Sequence, residues 1–161
     1  MSDRPKLWEH GMIPHGRTAI DRAGVACIFD RALGTLSNTT PHLAVDFPKR
    51  LNPAASRNWL WDEEQVRAHR DGRPIPPLPQ DPHPGDLLDD KEAAVYAGLR
   101  FSTWRAYVSE GRIEATPVIV CGVRHWVRST IRRRHETPPG TRGRPLGVAD
   151  ARPRRRRAEK V

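Results

Sequence analysis

The chain has 161 residues, of which 37% are hydrophobic, with 16 prolines and 12 glycines; this is too lean for one large core and suits small units joined by exposed segments. Its formal net charge of +9 and pI near 10.7 favour a polyanionic partner. No apolar run reaches membrane-spanning length and the N-terminus has no signal-peptide core, while Cys27 and Cys121 stand far apart in apolar settings, which argues against a CxxC metal motif or a disulfide framework and for a reducing, cytoplasmic compartment.

The charge is unevenly placed. Residues 1–85 hold 11 Lys/Arg against 10 Asp/Glu, residues 86–131 hold 6 against 6, and residues 132–161 hold 11 against 3, so the excess belongs to a tail. Residues 1–17 carry Pro5, Gly11, Pro14 and Gly16 without periodicity and read as a flexible or draped arm. Residues 18–71 read as a first module. A helix starts after Asp21 with Val25 and Ala26 inward, Asp30-Arg31 forms the turn, and a second helix covers Gly34-Thr35-Leu36. A long wing from about Leu43 to Trp61 precedes a short helix that Asp62-Glu63-Glu64 would cap. From Gly72 to Gly85 six prolines predict an extended, stiff linker.

Residues 86–136 read as a second module. Asp89 and Glu92 make a capping-box pattern for a helix over about 90–97, with Ala93, Ala94 and Ala97 buried. Gly98-Leu99 is the turn, and a helix over about 101–109 points Trp104 and Val108 inward before Gly111 ends it. PVIV-CG-VRHW predicts a β-hairpin, with Cys-Gly a weaker turn signal than Asn-Gly. A short helix over about 129–135, with Ile131 inward, closes the module; residues 137–161 have almost no apolar content and predict a disordered basic tail.

The two modules align without gaps from Asp21 on Asp89, which sets Val25-Ala26 on Ala93-Ala94; further on, Trp61 followed by Val66 matches Trp126 followed by Ile131. The run DDKEAAVYAGLRFSTWRAYVSEGRI…VRHWVRSTI resembles the winged helix-turn-helix modules of the excisionase/AlpA and MerR-like DNA-binding families, over about fifty residues and more weakly over 19–70. The fold class expected is therefore mainly α with small β-hairpin wings: two tandem winged helix-turn-helix modules and a disordered C-terminal tail. Joined head to tail, such modules would read half-sites in direct orientation.

The resemblance implies that the second helix enters the major groove and that the wing touches the backbone or minor groove. On the second module the candidates are Arg100, Ser102, Thr103 and Arg105 on the helix, with Arg124 and His125 on the wing, His125 reading also as a packing residue beside Trp126. Arginine can read guanine bidentately and hydroxyls suit phosphates. On the first module they are Arg31, Thr35, Asn38 and Thr39, then Lys49, Arg50, Arg57 and Asn58. In the tail, the Arg142-Gly143-Arg144-Pro145 run resembles an AT-hook, and Arg154, Arg155, Arg156 and Arg157 form a phosphate-binding run.

The expected function is sequence-specific binding of double-stranded DNA by a cytoplasmic, nucleoid-associated protein: a transcription regulator, or an excisionase-like factor in recombination or plasmid maintenance. A recombinase or replication protein is the protein partner that role implies. The alternative is an adaptor whose modules bind protein while the tail binds nucleic acid nonspecifically. With no phosphate-cradling glycine loop, metal-ligand cluster or nucleophile–base pair, no enzyme, catalytic residue, metal or cofactor is expected.

Overall fold

A computed structural model describes residues 12–37, 41–53 and 56–133. The elements run β1 (Ala19–Ile20), α1 (Arg22–Ile28), 3-10 turns at Leu33–Ser37 and Pro41–Leu43, β2 (Trp61–Asp62) and α2 (Glu63–Arg70). Then follow β3 (Leu87–Asp89), α3 (Asp90–Ala97), α4 (Phe101–Ser109), β4 (Val118–Val120), β5 (Val123–Val127) and a 3-10 turn at Arg128–Thr130.

Capping residues decide where the helices start. Asp21, Asp62 and Asp89 are extended, and each accepts from a backbone N–H in the first turn it precedes, satisfying groups that have no partner within the helix. At its other end α3 stops on Gly98, left-handed at φ 72°, which lets the Leu99 N–H reach back to the Ala94 carbonyl.

Two antiparallel sheets hold the fold. β1 pairs with β2, setting Ile20 opposite Trp61; in the other sheet, ordered β3-β5-β4, Leu88 lies opposite Trp126. The aligned residues of the two halves thus pair alike. One core, of Val25, Ile28, Phe47, Trp61 and Val66, belongs to the first half.

The three-stranded sheet has a core on each face at β3 and β5, while Val118 and Ile119 of the edge strand β4 stay exposed. Successive strand residues point to opposite sides. Leu88 and Trp126 point to a core with Met12, Ala93, Ala94, Ala97, Trp104 and Ile131. Leu87, Val120 and Val123 point the other way, onto Ile13, Ala19, Leu51 and Leu60 of the N-terminal half, joined by Leu78. Ile13 extends the sheet by an antiparallel bridge to Leu87: its N–H donates to the Leu87 carbonyl at 2.8 Å, and its carbonyl accepts the Leu87 N–H at 2.9 Å. Asp86, buried, ties this crossing together: it accepts the His15 N–H at 2.9 Å and the His83 N–H at 2.8 Å, and pairs with Arg128 at 3.2 Å.

These findings correct the expected fold class. The described residues form an α/β mixture with two small sheets, not a mainly α pair of winged modules. In the first half the expected second helix is a 3-10 turn at Leu33–Ser37: Gly34, Thr35 and Ser37 are weak helix formers and Pro41 follows. Among its described residues the long segment from Leu43 to Trp61 makes no hairpin, since Pro48 and Pro53 interrupt it and it lacks strict alternation. In the second half the hairpin does form, but it does not project as a wing. Its turn, Cys121 at φ 49° and Gly122 at φ 75°, is seated against the first half, where the Cys121 thiol points at the Ala19 carbonyl at 3.7 Å. The expected final helix is the 3-10 turn Arg128–Thr130.

The Gly72–Gly85 segment has no helix or strand, as its prolines dictate, yet it is no spacer. Gln65 donates to the Pro76 carbonyl at 2.7 Å, and Leu78 packs into the shared core. Nor is all of 1–17 a loose arm, because Met12 and Ile13 are each only 2% exposed. Residues 1–11 and 137–161, including the AT-hook-like run, lie outside the described residues. Among the described residues no helix is long and apolar enough to cross a membrane.

Glu92 yields a pH-dependent prediction. Burial and the nearby Asp89 charge push its carboxyl up to about 8, against the pull of the Asp89 backbone N–H, Arg128 and the Met12 backbone N–H. A value raised above the unfolded one means that Glu92 favours the fold below about pH 4.5 and opposes it increasingly as pH rises towards 8. Glu92→Gln is therefore expected to stabilise the protein by roughly 2 kcal/mol more at pH 7 than at pH 5. Paired urea titrations at the two pH values check this; an equal effect at both would refute it.

Candidate nucleic-acid interface

α4 is the most exposed helix face with a consistent chemistry. Its sequence, FSTWRAYVS, buries Trp104 and leaves Phe101, Ser102 and Arg105 exposed, with Arg100 exposed at the N-cap. Unlike the three helices capped by aspartate, α4 has no side-chain cap, and like α1 it has no acidic residue in its first turn. Among the described residues Arg100 and Arg105 make no ion pair, whereas Arg17, Arg67, Arg70, Arg73, Arg112, Arg124, Arg128 and Arg132 all do.

Asp90 holds this helix in place. Its Oδ1 accepts the indole N–H of Trp104 at 3.1 Å and that of Trp126 at 2.7 Å, while Oδ2 accepts from Arg124 at 2.7 and 3.2 Å. One carboxylate thus joins α3, α4 and β5. Trp104 and Trp126 meet edge to face across it, centroids 5.4 Å apart.

The expected site residues separate into groups. Arg100, Ser102 and Arg105 share the exposed first two turns of α4, while Thr103 is half-buried. Arg124 is occupied by Asp90 and lies near Trp126, and His125 is buried with Nδ1 3.0 Å from the Val123 carbonyl. The expectation that these two reach DNA from a wing is corrected: Arg124 is held by Asp90, His125 is buried, and their strand is the middle one of the sheet, its turn seated against the first half. In the first half Arg31, Thr35, Lys49 and Arg57 are exposed, but Arg50 lies over the Trp59 ring at 4.3 Å. Asn58, also exposed, turns its amide towards the Cys121 carbonyl, 3.5 Å away. Asn38, Thr39, Arg142, Arg144, Arg154, Arg155, Arg156 and Arg157 lie outside the described residues.

Sequence reasoning missed Asp90 and Phe101. By position Asp90 is an ordinary first-turn acid; the signal is two tryptophans whose N–H groups, if buried, must find an acceptor. Among the described residues no group of three or more His, Cys, Asp or Glu side chains is placed to hold a metal ion. Comparison with protein-family models, curated proteins and solved structures found no match to the chain.

Proposed function

We propose that this protein binds double-stranded DNA sequence-specifically through the exposed face of α4, as a transcription regulator or an excisionase-like recombination or plasmid-maintenance factor. The observation that supports this best is the pair Arg100 and Arg105, exposed on a helix whose first two turns carry no acid and make no ion pair. A short helix can set such side chains against base edges in the major groove. Hydroxyls of Ser102 and the uncapped backbone N–H groups suit neighbouring phosphates. The sequence resemblance of residues 89–131 to excisionase-type modules and the basic composition of residues 132–161 support the same reading.

Arg105→Ala is expected to cost roughly 1–3 kcal/mol of specific affinity while the fold is retained. The test is selection of duplexes from a random library with the full chain, followed by titration of wild type and variant on the selected duplex. A folded variant with unchanged preference would remove α4 from the interface.

A second reading, an adaptor that docks a protein, is favoured by the first half. Leu33, Leu43 and Val45 are exposed there. A recombinase or replication protein would be the partner, and it could be engaged together with DNA.

A further inference from the structure

We propose that Phe101 reads a thymine within the target, by setting its ring against the C5-methyl group in the major groove. This rests on the DNA-binding reading of α4. Phe101 opens the helix and is 40% exposed, while Trp104, on the same helix, is 1% exposed. The core has thus taken the indole and left the phenyl ring facing outward, on the same helix face as Arg105 at i, i+4 spacing. Exposing a large aromatic side chain forgoes its burial, so a contact outside the fold is where its apolar surface gains. In the major groove the distinctive apolar group on a base edge is the thymine methyl; the rest is hydrogen-bonding donors and acceptors.

Arg105 sharpens the assignment. One helical turn on, its guanidinium carbon lies 6.0 Å from the Phe101 ring centroid, close enough for a weak cation–π attraction that keeps the two side chains together. A ring suited to a methyl group and a fork suited to guanine O6 and N7 therefore act as one pair. The target inferred is a thymine beside a guanine.

The experiment replaces each thymidine of the selected duplex in turn by deoxyuridine, which removes the methyl group alone, and titrates wild type, Phe101→Ala and Phe101→Leu. For wild type, one position is expected to lose about fourfold in affinity, equivalent to the ~0.8 kcal/mol of burying one methyl-sized group. Phe101→Ala should be insensitive at that position, and Phe101→Leu should keep part of the sensitivity. Specific binding with no sensitive position, or a sensitivity unchanged in Phe101→Ala, would overturn the role of Phe101 and leave DNA binding by α4 standing. Selection that yields no preferred duplex would overturn both.

Discussion

Asp90→Ala is expected to cost roughly 3–5 kcal/mol of stability and to loosen α4 from the sheet. Two indole N–H groups of buried tryptophans lose a shared acceptor, and each orphan left buried costs about 1–3 kcal/mol. Arg124 adds less, because its side chain is half-exposed and can turn to solvent. Asp90→Asn keeps an oxygen for the tryptophans and is expected to cost less than half as much. Urea titrations followed by tryptophan fluorescence check both; a loss below about 1 kcal/mol for the alanine variant would show that Asp90 does not join the elements.

The carboxyl also has an acid signature. Burial pushes Asp90 up, but hydrogen bonds from Arg124, Trp126 and Trp104 outweigh it and hold the group below the ordinary carboxylate range. A depressed value contributes stability that is present above the unfolded-state value and is lost as pH falls through the lower folded one. Asp90→Asn should therefore flatten the acid limb of the stability profile.

Residues 72–161 expressed alone are expected not to fold. Removing the first half strips one sheet face of Ile13, Ala19, Leu51 and Leu60, takes Met12 from the other, and leaves the Leu87 edge without its bridge. Truncating a single buried side chain of this size costs about 2–5 kcal/mol, and a small domain has about 5–15 kcal/mol in all. Residues 12–161 should keep the fold. Amide dispersion in two-dimensional NMR spectra separates the cases: a dispersed spectrum from 72–161 would mean that the sheet stands without its second layer.

The second half was largely legible. Asp89 with Glu92 at one end and Gly98 at the other mark a helix that runs Asp90–Ala97, and α4 and the hairpin follow as the periodicities of 3.6 and 2 require. The candidate side chains on α4 were equally plain, being polar at positions that Trp104 leaves outward. What failed was context. Leu87–Asp89 is too short to announce a strand, and Met12-Ile13 is a lone apolar pair among prolines and glycines. Nothing local shows that VRHW lies between two cores, because the layer on one side of it comes from residues some sixty positions away. Arg124 was misplaced for that reason, whereas His125 is buried, as its reading as a packing residue implies. In the first half, weak helix formers around Thr35 let tertiary packing override the aligned pattern.

The bridge from Ile13 to Leu87 means that the chain enters the central sheet, leaves to build the first half, and returns to finish it. During synthesis the first strand-like residues emerge long before their partner, and the ends of a loop of roughly seventy residues must meet before the second core can close. Such non-local pairing slows folding. A nascent chain that has reached Arg70 carries Leu51 and Leu60 with no hairpin yet to cover them, so the interval between the two visits is when this protein is expected to be most prone to aggregate.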